Sequence, residues 1–324
     1  MTPRTPRTVD YPDFLRGGDG TQVERKVDTR LMGARNKEMV RRIEIAPIQD
    51  PFTFVIAGES GAWPDPTAEG IFGAILEQVS RLDPQPRFFV NLGDFAGPGT
   101  PVRHRRYLQA IRRLPFPNLC ILGNHELDDH AGLDTYRDVH GASNFVFSYG
   151  TTDFIALRSV PGSVGEMDIP LYGPGAGRGP HDEDIEFLEE ALQAGSGAVK
   201  VILMHMPPNF DGHYAPHAEW GFTYREGDFL ELMRDYEVDL VCCAHGLAFD
   251  TVVINGTRFV MSGGGGTGLC SDRRGVCSQG PGRPEERGAL FHAVEVTVRG
   301  SEATVSGRVL QAFASPWDRS PITF

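Results

Sequence analysis

Short apolar runs alternate with amphipathic segments from residue 51 onward, and a polar or glycine-rich loop follows each run. Five of the runs are almost continuously apolar, which is typical of central strands that are buried on both faces of a sheet. We therefore predict β-strands at Phe52–Ala57, Arg87–Leu92, Asn118–Leu122, Lys200–Met204 and Asp239–Cys243.

Three segments between these runs repeat apolar residues at the three- and four-residue spacing of an α-helix. The predicted helices are Ala68–Arg81, Val102–Leu114 and Asp182–Leu192. Strands that alternate with helices indicate a layered α/β core, because each amphipathic helix must cover a face of the sheet.

The pattern changes near residue 250, where strand-like runs follow one another without a helical segment between them. These runs are Thr251–Ile254, Arg258–Ser262, Ala289–Val298 and Ala303–Leu310. Asn255-Gly256 between the first two is a strong hairpin signal, so antiparallel pairing is expected here. The predicted fold class is α/β, with two sheets flanked by helices.

The N-terminal residues differ from the rest of the chain. Residues 1–45 are charged, rich in turn residues and without clear periodicity, and we expect them to form an N-terminal extension. Residues 46–324 contain no internal repeat and no long linker, so they are predicted to form one domain.

The composition excludes several classes of protein. A hydrophobic fraction of 40% and a charged fraction of 23% in 324 residues are near globular averages, which excludes a wholly disordered chain. The net charge of -12 argues against a generic nucleic-acid binder, which needs a basic face. An anionic substrate would need a local positive charge, such as a metal ion.

The sequence also suggests a location. No apolar stretch has the length needed to span a bilayer, and the N-terminus lacks the apolar segment of a secretory signal. The five cysteines are an odd number, and Cys242 and Cys243 lie in an apolar run, as expected of reduced thiols in a cytoplasmic protein. The alternative is that Cys270 and Cys277, which flank a loop, form a disulfide bond.

Polar residues follow the predicted strands where hairpin turns would be ordinary. In chain order they are Glu59, Asp94, Asn124 with His125 and Glu126, His205 and His245. In α/β sheets, ligands and chemistry collect at the carboxyl ends of the strands. A set of carboxylate, amide and imidazole groups suits a divalent ion such as Mn, Fe or Zn. The other histidines of the predicted helices and loops, including His104 and His140, are expected to be structural or exposed.

These residues resemble the calcineurin-like metallophosphoesterases, and within them the purple acid phosphatase branch. The resemblance covers about Phe52–Ser262 and rests on Gly93-Asp94, Gly123-Asn124-His125-Glu126, His205-Met206-Pro207-Pro208 and Ala244-His245, each after a strand and in the family's order. It implies a four-layer α/β/β/α sandwich of two mixed sheets flanked by helices. It also implies hydrolysis of a phosphorylated small molecule or other phosphate ester by metal-activated water.

The resemblance assigns a role to each matching residue. Asp94 matches the carboxylate that bridges two metals in the family, and Asn124, His205 and His245 complete the ligands of one metal. His125 matches the histidine that stabilises the phosphoryl oxygens or protonates the leaving oxygen. Glu126 is expected to orient His125 through a hydrogen bond to a ring nitrogen.

The other metal site departs from the family's pattern. Glu59 stands where the family has an aspartate, Gly61 where most members have a histidine, and Gly97 where purple phosphatases have a tyrosine. Leu247 replaces the second histidine of the last motif and cannot coordinate a metal. The sequence therefore predicts one complete metal site and an incomplete second one, with Glu59 either a ligand or a supporting carboxylate.

Three interpretations remain open from the sequence. The protein is a mononuclear phosphoesterase, or an unassigned group completes a second site, or the centre has decayed and the domain is a catalytically impaired binding protein. His213 and His217 follow His205 in a loop that could fold over the site, where they would contact metal or substrate; the other interpretation is a surface loop.

Overall fold

The computed structural model describes residues 35–160, 179–210, 221–269, 290–312 and 323–324, and the account below concerns these residues. The α-helices are α1 (Arg35–Glu44), α2 (Pro66–Ser80), α3 (Pro101–Ile111), α4 (Gly132–His140), α5 (Asp182–Ala194) and α6 (Glu226–Asp235). The strands are β1 (Phe52–Ala57), β2 (Phe89–Asn91), β3 (Asn118–Cys120), β4 (Phe145–Tyr149), β5 (Thr152–Ala156), β6 (Val199–Leu203), β7 (Leu240–Cys243), β8 (Phe249–Ile254), β9 (Thr257–Ser262), β10 (His292–Arg299) and β11 (Thr304–Gln311).

The strands form two mixed sheets. The first has the order β11-β10-β1-β2-β3, in which β1, β2 and β3 are parallel and β10 and β11 pair antiparallel. The second has the order β4-β5-β6-β7-β9-β8, with β5, β6, β7 and β9 parallel and the edge strands β4 and β8 antiparallel. The prediction of two mixed sheets flanked by helices is confirmed.

Two apolar clusters hold the layers together. Side chains of alternate strand residues point to opposite faces, so Phe54 and Ile56 of β1 pack in one cluster and Val55 and Ala57 in the other. The first cluster joins the two sheets face to face, and Phe54 contacts Phe154 of β5 edge-on at 5.4 Å between ring centres. The second cluster packs the helices onto the outer faces. Burying one such large side chain contributes about 1.5–3 kcal/mol.

The N-terminal helix α1 departs from the prediction. Residues 35–44 were expected to belong to a turn-rich extension, but they form a helix whose Met39 and Ile43 lie in the cluster between the sheets. The Asn36 amide also hydrogen-bonds the backbone of Cys120 at the end of β3, donating to its carbonyl at 2.9 Å. The segment is otherwise polar and charged, and Met39, Val40 and Ile43 are its only apolar residues, so the apolar pattern is too short to predict a helix. The domain boundary at residue 46 stays a prediction.

Other elements follow the sequence with shifted ends. The strands predicted at Arg87–Leu92 and Asn118–Leu122 are shorter, and β4, β5, α4 and α6 were not predicted. The hairpin at Asn255-Gly256 is confirmed: both residues have positive φ, 52° and 91°, and Ile254 pairs with Thr257 across the turn. In the part of the chain that the structure describes, no helix combines the length and apolar character that a membrane crossing requires.

Candidate metal centre

The residues that follow β1, β2, β6 and β7 converge on one point. Because the carboxyl ends of these strands meet along one edge of the two packed sheets, distant parts of the chain supply neighbouring side chains. Glu59, Asp94, His205 and His245 each offer a ligand atom, and these atoms all lie within 4.8 Å of one another. The convergence expected from the strand ends is therefore present in the fold.

Unusual backbone conformations hold three of these four residues. Glu59, Asp94 and His245 have φ angles of 61°, 56° and 67°, in the left-handed region that residues other than glycine rarely occupy. Such angles cost about 1–3 kcal/mol each and concentrate at functional sites. Gly93 has φ of 104°, and a Cβ there would lie 2.4 Å from Nδ1 of His205, so only glycine lets this turn approach the imidazole.

The His205 ring is oriented for coordination. Its Nδ1 lies 2.7 Å from the carbonyl oxygen of Leu92, and since a carbonyl only accepts, Nδ1 carries the hydrogen. Nε2 then faces Asn124 Oδ1 at 3.0 Å, His245 Nδ1 at 3.2 Å and Asp94 Oδ2 at 3.4 Å. A metal-binding imidazole is held in this way, with one nitrogen on a carbonyl and the other on the ion.

The two carboxylates of the centre influence each other. Burial raises the pKa of Glu59 well above its ordinary value, and the charge of Asp94 raises it further. Burial also tends to raise the pKa of Asp94, but the nearby imidazoles, His205 foremost, outweigh burial and lower it. The pKa of His205 is lowered by burial and raised more strongly by Asp94, so the net shift is upward. The centre thus favours added positive charge.

A buried oxygen without a hydrogen bond among the described residues also indicates that this position suits a metal ion. Glu59 is 2% exposed, and its Oε1 is buried without a hydrogen-bond partner among the described residues, 3.8 Å from His205 Nε2. A buried oxygen without a partner is costly, and a bound cation removes that cost. Carboxylate, amide and imidazole donors fit a divalent ion of the Mn, Fe or Zn type. The residues present therefore fit a metal.

His125 lies beside these ligands. Its Nε2 is 3.9 Å from Asp94 Oδ2, and its Nδ1 is 2.7 Å from Asp128 Oδ2 on the other side of the ring. Burial lowers the pKa of His125, but the Asp128 hydrogen bond and then the Asp94 charge raise it to about 9. The Trp63 ring packs against the imidazole, with ring centres 4.8 Å apart. The sequence analysis did not single out Asp128 or Trp63.

The expected role of Glu126 is wrong. Its carboxylate does not reach the His125 ring but accepts backbone N–H groups from Gly123, Asp94, Phe95 and Ala96 at 2.7–2.9 Å. Burial and then Asp94 raise the pKa of Glu126 to about 7, although the Ala96 N–H lowers it. Glu126 therefore fastens the loop after β2 to the loop after β3.

The reason is the local helix geometry. Residues 125–127 form a turn of 3₁₀-helix that ends at Asp128, and side chains three residues apart eclipse one another in that helix. The turn places Asp128 next to the His125 ring and directs Glu126 inward. An aspartate three residues after the histidine was the signal that could have identified this pair.

At Gly61 and Gly97, backbone atoms fill the space that a side-chain ligand of a second metal would need. A Cβ at Gly61 would lie 2.5 Å from the Phe95 carbonyl oxygen, and one at Gly97 would lie 2.0 Å from that of Ala62. The two loops are joined there, because the Gly97 N–H donates to the Gly61 carbonyl at 3.0 Å. Within the described ranges, no second group of three or more potential ligand side chains is as close together. His213 and His217 lie outside these ranges.

Solved structures share this fold at low sequence identity. They include purple acid phosphatase PPD1 from yellow lupin (Lupinus luteus) seeds, with a TM-score of 0.58, 16% identity, 86% of this chain covered and 54% of that chain. GAP50, the anchor in the inner membrane complex of Plasmodium, has a TM-score of 0.55 and 13% identity, with 84% of this chain and 88% of that chain covered. PhoD has a TM-score of 0.51 and 11% identity, with 86% of this chain and 69% of that chain covered. The chain thus spans about half the length of the purple acid phosphatase, and these similarities show the fold alone.

The sequence comparison identifies the family. No curated protein sequence matches the chain. The family model for the calcineurin-like phosphoesterases matches residues 39–248, which is about two-thirds of the chain and includes every residue of the centre described above. The protein belongs to the calcineurin-like phosphoesterase family.

Proposed function

We propose that this phosphoesterase hydrolyses a phosphate ester with one divalent ion, held by Glu59, Asp94, Asn124, His205 and His245. One observation carries the proposal: Nε2 of His205 faces several lone-pair donors, one of which, Oε1 of Glu59, is buried and has no hydrogen-bond partner among the described residues. A divalent cation is the simplest group that satisfies all of these atoms together.

The loops favour one ion over two. Gly61 and Gly97 leave no room for a coordinating side chain, and Leu247 has no lone pair to offer. Glu59 is one methylene longer than the aspartate of the family's pattern, and its carboxylate lies near His205. This supports Glu59 as a ligand of the same ion rather than of a second one.

His125 and Asp128 supply the proton transfer in this proposal. A divalent ion at this position would lower the pKa of bound water and offset the charge of the phosphoryl oxygens. The water oxygen bonds to phosphorus as the bond to the leaving alcohol breaks. Nε2 of His125 gives its proton to the leaving oxygen, and a proton from the water later restores the imidazolium. Asp128 fixes the ring by accepting from Nδ1.

The first test measures metal content together with hydrolysis of an aryl phosphate. Asn124→Ala and His205→Ala are expected to lose both, because each removes a donor from the centre. His125→Asn should keep the metal and lose at least about 100-fold in kcat, the usual contribution of a positioned acid. His130→Ala, an exposed histidine in the same loop, is the matched control. Hydrolysis that persists in both Asn124→Ala and His205→Ala would reject the proposal.

The competing function is a binding protein with this fold and no turnover. The replaced ligands at Gly61, Gly97 and Leu247 are what favour it. Metal analysis and a panel of phosphate monoesters and diesters separate the two functions. About one ion per chain with hydrolysis of any ester supports the enzyme, whereas one ion or none without hydrolysis supports the binding protein.

We also infer a reducing, cytoplasmic environment. The described cysteines Cys120, Cys242 and Cys243 are free and buried, as in proteins that keep their thiols reduced. Burial raises the pKa of the Cys120 thiol to about 11, so this thiol is unreactive at neutral pH. Cys270 and Cys277, the alternative pair, lie outside the described residues.

A further inference from the structure

Trp63 is a large apolar side chain that stays exposed next to the candidate metal centre. Its side chain is 49% exposed, and its ring lies against His125 at an angle of 60° between the ring planes. Burying an apolar side chain of this size stabilises a folded protein, and the exposed part of the indole forgoes that stabilisation. A single exposed apolar side chain needs no explanation by itself, so what distinguishes Trp63 is its contact with His125 at the candidate metal centre.

A buried network fixes the backbone that carries this ring. Arg103 is almost fully buried, and its Nη2 donates to the carbonyl oxygens of Gly61 at 3.2 Å and Trp63 at 3.1 Å. The N–H of Ala62 donates to Thr267 Oγ1 at 3.0 Å. The loop is thus anchored on both sides of the chain, and the indole is presented to solvent from a rigid support.

The position of Trp63 relates it to the reacting atoms, and this step rests on the proposed function. His125 is close to both groups, with its ring centre 4.8 Å from that of the indole and its Nε2 3.9 Å from the Asp94 carboxylate. When Nε2 gives its proton to the leaving oxygen, that oxygen must lie next to His125. The organic group attached to the oxygen is then also near the imidazole, within reach of the Trp63 ring that packs against it.

We infer that Trp63 forms a subsite for a flat aromatic group on the alcohol portion of the phosphate ester. Indole rings stack on planar groups, and such contacts strengthen binding measurably. A phosphate ester of an aromatic or heteroaromatic alcohol gains this contact, whereas a small alkyl ester does not. The subsite therefore selects the leaving alcohol and leaves the phosphoryl group to the metal centre.

The test compares ligands that differ mainly in the aromatic ring. Benzyl phosphate and ethyl phosphate both release a primary alcohol, and benzylphosphonate and ethylphosphonate are their counterparts that cannot be hydrolysed. For the metal-loaded protein, Trp63→Ala should weaken calorimetric binding of benzylphosphonate about tenfold and raise the KM for benzyl phosphate similarly. The ethyl compounds should change less than about twofold. Trp63→Phe should retain most of the preference for benzyl over ethyl ligands, and Trp63→Leu should lose it. The control is Val146→Ala, which changes an exposed side chain on β4.

The outcomes separate this inference from the proposed function. Equal changes for the benzyl and ethyl ligands, or no change for either, would overturn the subsite. If the wild-type protein holds its metal but hydrolyses none of the monoesters and diesters of the panel, the proposed function fails, and the two phosphonates still decide whether Trp63 binds the aromatic ring. Metal content measured in each variant shows that the centre is intact.

Discussion

Two pairs of histidines in this protein have nearly the same spacing but different surroundings. The rings of His205 and His245 are centred 5.1 Å apart with facing nitrogens at 3.2 Å, and those of His104 and His140 are also 5.1 Å apart with nitrogens at 3.0 Å. The first pair lies between the carboxylates of Glu59 and Asp94.

The second pair has aromatic neighbours. Phe95 and Tyr136 pack on the His140 ring at 5.3 and 5.0 Å between centres. Burial, followed by the charge of Arg103, lowers the pKa of His104 to about 3, whereas Asp94 raises that of His205 despite burial. The comparison shows that paired imidazoles do not by themselves make a metal site, because the neighbouring carboxylates supply the charge that attracts a cation.

The largest effect is expected when a carboxylate is removed from the first pair. Glu59→Gln keeps the shape of the side chain but not its charge, and we expect metal affinity to fall about 100-fold or more. In the metal-free protein the same change should raise the free energy of unfolding by about 1–3 kcal/mol, because it removes a buried acid whose Oε1 has no hydrogen-bond partner among the described residues. Isothermal titration with Mn²⁺ or Zn²⁺ and urea unfolding in a chelator measure the two effects. Unchanged affinity would exclude Glu59 as a ligand.

The second prediction concerns the carboxylate that holds His125. Asp128→Asn should lower kcat about 30-fold for esters of poor leaving alcohols and less than about threefold for 4-nitrophenyl phosphate, which needs little protonation. Metal content should not change. Asp134→Asn, which changes an exposed aspartate on α4, is the matched control. Equal losses for both classes of ester would show that Asp128 has only a structural role.

The third prediction tests the pair of His104 and His140 through the loss of folding stability at acid pH. The folded-state pKa of His104 is about 3 and its ordinary value is 6.5, so below pH 6.5 the unfolded chain binds more protons at this residue. Stability is therefore lost as the pH falls from about 6.5 toward 3, and at pH 5 the loss is about 2 kcal/mol.

His104→Gln removes this titration and should flatten the pH dependence of the unfolding free energy by that amount, measured by urea titration of the metal-free protein. His130→Gln, which is exposed, should leave the slope unchanged. A slope that does not respond to His104→Gln would contradict the assignment of a buried neutral imidazole.

The smallest effect is expected from adding imidazoles. The double variant Gly61→His with Leu247→His restores the residue types of the family's second site, yet the metal content should stay near one per chain. The Gly61 position is closed by the Phe95 carbonyl oxygen, 2.5 Å from where a Cβ would lie, so the new side chain must displace backbone. Elemental analysis of the variant beside the single Leu247→His change checks this. Two ions in the double variant would show that side chains alone limit the site.

The sequence predicted the parts that depend on chain order and missed those that depend on local turns. Near-continuous apolar runs located the central strands, and the polar residues after them identified the converging ligands. Asp128 was not predicted as a site residue because its contact with His125 arises from one turn of 3₁₀-helix. The role of Glu126 was predicted wrongly for the same reason. Helix α1 was missed because only three of its ten residues, Met39, Val40 and Ile43, are apolar.

The left-handed backbone at three of the proposed ligand positions restricts how this centre can be engineered. Glu59, Asp94 and His245 have φ angles near 60°, which asparagine tolerates and β-branched residues resist. A library that varies the donor set at these positions should therefore return asparagine and aspartate far more often than threonine or valine, whatever ion is used for selection. At these three sites the main chain, more than the chemistry of the bound ion, restricts which new donors can be introduced.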